Sequence, residues 1–483
     1  MMMMKNTHTE HAGSRGPKIV VIGAGSYFFG RAVIWNMVHS PVLNSGTLAL
    51  VDTNEDTLAT MSTLARRAVE HAGVSVRVEA STDRTEVLRG ADFVVLAFSD
   101  RNAHFRGVDC SIAEKYGVRM CSGDTIGPGG IFRALREIPT VLAIAQDCER
   151  ICPNAWLINY VNPSTVLGIA LMRHAGIRTF ALCDSLPEPT VRLRYLKMVG
   201  ILPEDATSVP VEVESKLDFA IAGVNHLTWL LRFVYDGQDQ MPKVRAHLAE
   251  NAALERAEQE ARDAGAGGRT DDNTYSKRKF NAVYSLELMD IYGAAPAVIG
   301  HTKEYVPFYQ GWGVQPVDPE PLKIFDAEDR QRAMDEHMDG NRRYADGTAP
   351  IEAFFSSGRG DHATDIIEAM WGGLGKSFYV NTANRGAVSN MADDAFLELR
   401  CDLDMHGPRP QPVGAMPRGI RAMQEQTLDT HELTVEAALH CDRNLLLRAF
   451  ATDPIITNLS DARSMIAELL EAQRDVLDPR WFG

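Results

Sequence analysis

The sequence predicts an α/β protein, an N-terminal Rossmann-type doubly wound parallel sheet fused to a C-terminal α/β substrate domain. Short apolar runs alternate with helical stretches from Lys18 to about residue 190, a glycine turn follows the first run, and an acid ends the second. Strands alternating with helices pair in parallel and are covered on both faces. A glycine turn between strand and helix is where such sheets take a nucleotide.

In chain order, KIVVI (18–22) is the first strand and FFGRAVIWNMVHS (28–40) the helical stretch after it. LALVD (48–52), an amphipathic segment to about Gly73, DFVVLAF (92–98), AWLINY (155–160) and TFALCD (179–184) continue the alternation. The second half opens with the strand-like DFAIAGVNHLTWLLRFVY (218–235) and a charged helical stretch at 250–273 whose AGAGG reads as a loop. Further helices are expected around Tyr284–Tyr292 and Leu428–Leu446. The organisation expected is a disordered tail at 1–17, a nucleotide-binding domain at 18–190, and a domain for substrate, metal and oligomerisation at 191–483.

Composition excludes several classes. The 483 residues are 45% hydrophobic and 23% charged, which suits a globular protein with a large core and not a disordered or collagen-like chain. With 49 Lys and Arg against 64 Asp and Glu, the net charge of −15 repels phosphate backbones and anionic lipid, so neither nucleic acid nor membrane is an expected partner. No apolar run reaches the ~20 residues of a membrane span, and the N-terminus lacks the apolar core of a signal peptide. The cytoplasm is the expected location. Seven scattered cysteines fit reduced thiols better than a disulfide framework.

Gly23, Gly25, Ser26 and Gly30 follow the first strand, and Asp52 ends the second. Close glycines let the backbone approach a pyrophosphate at a helix N-terminus, and an acid at that place accepts hydrogen bonds from the adenosine ribose, favouring NAD over NADP. The spacing G-x-G-x4-G departs from the usual G-x-G-x-x-G, so a bare tight turn is the rival reading.

The segment CSGDTIGPGGIFRALREIPT (121–140) puts Asp124 and Thr125 in a Gly-rich loop before a helix with Arg133 and Arg136. Such a loop offers N–H groups and a carboxylate to a polar ligand; otherwise it is a long cap with surface arginines. In INYVNPST (158–165), Asn162 is an amide at a strand end, suited to sugar hydroxyls or simply an Asn-Pro turn. Cys183-Asp184 and Asn225-His226 end further strands. A thiolate and an imidazole can share a divalent cation while leaving positions open for substrate, although either alone is as readily a core residue. Among Tyr275, Tyr284 and Tyr292 the residues themselves favour none.

Together, KIVVIGAGS, GDTIGPGGIFRALREIP, NYVNPS, LCD, GVNH, IGHTKEYVP and VNTANRGAVSNMADDAFLELRCDLDMHGPRPQPVGAMP, with LTVEAAL and DPII, resemble glycoside hydrolase family 4. These are NAD- and divalent-metal-dependent glycosidases similar in fold to lactate and malate dehydrogenases. The resemblance implies Cys183 and His226 as ligands of manganese or another divalent metal, and Asp124, Asn162, Arg133 and Asn225 as substrate binders. It further implies Tyr284 as base, with Tyr275 in reserve, and Asp184 as general acid. The implied reaction is transient oxidation at sugar C3, C2 deprotonation, 1,2-elimination, water addition and re-reduction, an exception to two-carboxylate glycosidases. A homodimer or homotetramer is expected. The 121–136 loop resembles that of members acting on unphosphorylated α-galactosides, α-glucosides or α-uronides, yet those commonly carry Cys-His where this chain has Cys183-Asp184. A 6-phospho-α-glucosidase and an NAD-dependent hydroxy-acid or sugar dehydrogenase therefore stand as alternatives, and a catalytically silent sugar sensor as a more remote one.

Overall fold

A computed structural model describes residues 15–263, 280–318, 322–357 and 361–483. It contains one mixed sheet. The strands are β1 (Lys18–Ile22), β2 (Thr47–Val51), β3 (Arg77–Ser81), β4 (Phe93–Leu96), β5 (Trp156–Asn159) and β6 (Arg178–Ala181) in the first half. The second half adds β7 (Leu217–Val224), β8 (Leu227–Tyr235), β9 (Gln238–Asp239), β10 (Ala295–Pro296), β11 (Ser377–Ala383), β12 (Phe396–Asp404) and β13 (Gly407–Pro410). Their order is β10-β8-β7-β12-β11-β6-β5-β4-β1-β2-β3, with β13 on β12 and β9 on β8.

From β3 to β6 all pairings are parallel, in the order 3-2-1-4-5-6 of a dinucleotide fold. The apolar runs of β2, β4 and β5 are buried at every position, as strands covered on both faces must be. The predicted fold class is the one observed. Its second half joins the first through one antiparallel pairing, Asn381 of β11 against Ala181 of β6. Beyond it β11, β12, β7 and β8 are antiparallel throughout.

Two local expectations are corrected. The run 218–235 is a hairpin, not one strand: β7 turns at Asn225-His226 and returns as β8. The amide groups of Gln424 fix this turn, accepting from the Val224 N–H at 2.6 Å and donating to the Leu227 carbonyl at 2.9 Å. The stretch 428–446 belongs to two helices, Arg418–His440 and Arg443–Thr452, separated where Cys441 takes a left-handed conformation and Asp442 caps the second. The charged stretch as far as residue 263 belongs to the helix Met241–Asp263, and the AGAGG reading lies outside the described residues.

The helix Ser164–His174 crosses β12 at Gly168, where an added Cβ would stand 2.2 Å from the Phe396 ring. Phe396 is buried and cannot yield. Gly168→Ala therefore costs about 1–3 kcal/mol of overpacking, more than the up to ~1 kcal/mol gained in helix propensity. A thermal midpoint lowered by a few degrees is expected; an unchanged or raised midpoint would contradict this packing.

Candidate active site

The carboxyl ends of the parallel strands converge on one edge, where ligands bind in this architecture. After β1, Gly23 has φ +98, and an added Cβ would lie 2.5 Å from the Ala97 carbonyl oxygen beyond β4. A Cβ on Gly30 would lie 2.3 Å from the Ala24 oxygen, so this glycine lets the helix Gly30–His39 close onto the turn. Ser26 accepts at its carbonyl from the Gly30 N–H at 3.0 Å. The Asp52 carboxylate accepts from the Gly25 N–H at 2.9 Å and from Asn54 N–H at 3.0 Å, tying the second strand end to the glycine turn. Gly23, Gly25 and Gly30 thus each occupy a place a side chain would fill, and the turn suits a dinucleotide.

The next cluster surrounds Asp124. Its carboxylate accepts from Ser122 Oγ at 2.8 Å and from Asn162 Nδ2 at 3.4 Å, and it pairs with Arg133 at 3.5 Å and Arg106 at 3.7 Å. All but the half-buried Asn162 are buried. Two guanidinium groups compensate a carboxylate withdrawn from water, which would otherwise be unfavourable. Glu304 shapes the same loop by accepting from the Ser122 and Gly123 N–H groups at 3.0 and 2.8 Å. The surface-arginine reading fails: Arg133 is buried on Asp124, and Arg136 forms a two-pronged pair with buried Asp109.

Cys183, half-buried, and His226, buried, come from β6 and the β7–β8 turn, with Sγ and Nε2 2.9 Å apart. Metal bonds of roughly 2.0–2.4 Å at a right angle put two donors about 3 Å apart, so one divalent cation fits both with little movement. Among the described residues no group of three or more His, Cys, Asp or Glu is placed to hold a metal ion. Burial pushes the Cys183 thiol up to about 11, opposed by Ser185 and Asn225. A bound cation would reverse that by stabilising the thiolate. His226 has φ +66, a left-handed backbone that a tight turn imposes on a residue other than glycine. Its ring stacks on His301 at 4.0 Å, and its carbonyl accepts from Thr302 Oγ1 at 3.1 Å.

Asp184 is exposed beside the Tyr160 phenol, whose ring meets Phe29 of the glycine turn at 5.6 Å. Tyr305 joins the remaining pieces: its hydroxyl donates to the Asn225 carbonyl at 2.8 Å, and Thr125 lies beside it. Tyr284 is buried between Phe280 and Tyr309, with the Lys303 ammonium 5.5 Å over its ring. Tyr292 packs edge-on against Trp229, and Tyr275 lies outside the described residues.

Several residues here had no assigned role in the sequence. The short helix Ile299–Tyr305 presents His301, Thr302 and Tyr305 to the two strand ends and Lys303 to Tyr284. The signals there were the dense run of polar residues in HTKEY and its place within IGHTKEYVP, one of the segments that carry the family resemblance. The helix Ala327–Asp346 covers the glycine turn through Met338, His337 and Arg330. Glu398 of β12 is fully buried; burial, then the Cys183 sulfur, pushes its carboxyl up to about 8.

The chain belongs to the family 4 glycosyl hydrolases: the family model matches residues 18–196, and that of the family's C-terminal domain matches 221–456. It is a glycosidase by family. An α-galactosidase of Bacillus subtilis is 27% identical over 95% of this chain and 99% of its own, and an α-galacturonidase of the same organism is 26% identical over 94% and 97%. A glucosidase crystal structure from Bacillus subtilis superposes with a TM-score of 0.77 at 25% identity, covering 95% of this chain and all of that one. A 6-phospho-α-glucosidase from gut microorganisms, solved with NAD and Mn2+, has the same fold, with a TM-score of 0.76 at 19% identity over 96% and 99%.

His431, buried in the helix Arg418–His440 against the Thr125 backbone, is pushed down to about 4 by burial. A histidine depressed below its unfolded value near 6.5 adds stability above that pH and loses it as pH falls through 6.5 toward 4, by up to about 3 kcal/mol. His431→Gln should flatten the fall in thermal midpoint between pH 6.5 and 4; a variant as acid-sensitive as the parent would refute the assignment.

Proposed function

We propose that the chain hydrolyses an unphosphorylated α-glycoside, an α-galactoside, α-glucoside or α-uronide, with NAD and a divalent cation, manganese foremost, as cofactors. The observation that carries this reading is the 2.9 Å approach of Cys183 to His226 at the sheet edge that also holds the glycine turn and the Asp124–Asn162 cluster. In support, relatives aligned over nearly the whole chain include an α-galactosidase and α-galacturonidases, beside a 6-phospho-β-glucosidase and a maltose-6'-phosphate glucosidase aligned as fully. The pairing of Arg106 and Arg133 with Asp124 also weighs against their use for a sugar phosphate.

Gly23, Gly25, Ser26 and Gly30 hold the dinucleotide, and Asp52 its adenosine ribose. Cys183 and His226 hold the cation; Asp124, Asn162, Arg133 and Asn225 bind and orient the sugar. When bound, NAD supplies reversible oxidation at C3, and the cation supplies Lewis-acid stabilisation of the charge that develops when C2 loses its proton. Tyr284 takes the C2 proton, with Lys303 adding positive charge beside its ring. Asp184 delivers a proton to the glycosidic oxygen as the C1–O bond breaks. Water then adds at C1, Tyr284 returns a proton to C2, and no net oxidation remains. The chain acts in a homodimer or homotetramer in the cytoplasm.

A panel of p-nitrophenyl α- and β-glycosides, including a 6-phosphoglucoside, tests the reading under reducing conditions. Release should need both NAD and Mn2+, and product formed in D2O should carry deuterium at C2. Asp184→Asn should lower kcat by about 10²–10⁴-fold on alkyl glycosides and much less on p-nitrophenyl ones, whose leaving group needs little protonation. NADH accumulating steadily on a hydroxy acid would instead establish the dehydrogenase alternative, and release from the 6-phosphoglucoside alone the phosphoglucosidase.

A further inference from the structure

Beneath the cysteine–histidine pair lies a row of buried polar side chains with no role in the reaction above. The strand register sets Ala181, Asn381, Glu398, Gly223 and Thr228 side by side across β6, β11, β12, β7 and β8. Asn381, Glu398 and Thr228 are fully buried, and among the described residues neither amide atom of Asn381, neither carboxyl oxygen of Glu398 nor the Thr228 hydroxyl makes a well-formed hydrogen bond. Gly223 cannot be filled by a side chain, because a Cβ would stand 2.4 Å from the Leu227 oxygen. Above the row, the buried Asn225 amide lies against both the Cys183 thiol and the Glu398 carboxyl and favours the charged form of each.

A buried carboxylate is disfavoured unless a cation or strong hydrogen bonds compensate it. The cation proposed above would provide that compensation. A divalent ion on one thiolate and one neutral imidazole leaves a net positive charge in a region withdrawn from water, and one carboxylate cancels it. Asp184, the other carboxyl beside Cys183, is exposed, so water screens its charge.

We propose that Glu398 is the buried counter-charge of the Cys183–His226 centre, a positioning residue that acts on the cation through Asn225 without ligating it. The inference rests on the cation-dependent reading of this site. It makes the cation's affinity, more than the geometry of the sugar, the property that Glu398 controls.

The test is Mn2+ binding to the full-length chain, titrated by the electron paramagnetic resonance of free Mn2+, with NAD affinity and thermal midpoint measured alongside. Glu398→Gln keeps the shape and removes the charge. It should weaken Mn2+ binding by about 10–100-fold, the range typical of residues one shell behind a metal ligand, and leave NAD affinity unchanged. Glu398→Asp, which keeps the charge, should recover most of the loss. If Glu398→Gln does not fold, Glu398→Met, equally neutral, replaces it. Unchanged Mn2+ affinity in the neutral variant, or equal weakening in the Asp variant, overturns the counter-charge while Cys183→Ala still abolishes binding. A parent chain that binds no Mn2+, or binds it equally well as Cys183→Ala, defeats the cation site itself and this inference with it.

Discussion

A single pairing, Asn381 of β11 against Ala181 of β6, joins the parallel and antiparallel parts of the sheet, and the geometry of the site depends on it. Cys183 leaves β6 just beyond that pairing, and His226 sits at the turn of a hairpin whose nearer strand, β7, is three strands further on. Because neighbouring strands stand about 4.8 Å apart, a sulfur and an imidazole that begin on different strands meet only if the register is fixed and the side chains lean inward. A one-residue slip would turn alternate side chains to the opposite face. Gln424 holds the hairpin turn from behind, and Thr302 and His301 hold the histidine from the side. Each support comes from a different part of the chain.

Two kinds of buried charge coexist here. Asp124 is matched by Arg106 and Arg133 and by hydrogen bonds from Ser122 and Asn162, so its carboxylate is both neutralised and oriented. Glu398 has no such match within the described residues. A protein that solves the first problem so fully has no evident reason to leave the second unsolved unless something that binds there completes it. The contrast is an argument about chemistry, because packing alone would favour an apolar residue at that position on β12.

The parallel half was legible because its signals are local. Apolar runs, the glycine turn and an acid at the next strand end depend on neighbours in sequence, and β1 to β6 with Gly23, Gly25, Gly30 and Asp52 stand in the relation expected of them. Cys183 and His226 were visible as strand-end donors, although only the tertiary register brings them to 2.9 Å. The 218–235 run read as one strand because both arms of the hairpin are apolar, and its Asn225-His226 turn lacks the glycine that usually marks one. Glu398, Asn381 and Gln424 had no role assigned from the sequence, although the first two lie in a segment that carries the family resemblance. A carboxylate inside the run FLELRCDLD resembles a solvent-facing strand position until the partner strands are known to cover it. Likewise Arg133 and Arg136, three apart on a helix, could not be told from surface residues before Asp124 and Asp109 were found beneath them.

The two residues proposed as acid and base lie in contrasting environments. Asp184 is exposed at the end of β6, whereas Tyr284 is buried between Phe280 and Tyr309. On the proposed reading these environments match the two proton transfers. The group that leaves with the glycosidic oxygen must escape to solvent, so its proton donor belongs at the rim, where it can be reprotonated from water. The C2 proton is taken from an activated carbon, and a base withdrawn from bulk water keeps the intermediate from side reactions. A sheet edge supplies the first position directly, since strand ends face outward. Tyr284 instead sits on the helix Asn281–Tyr292, which Glu255 holds at its first turn.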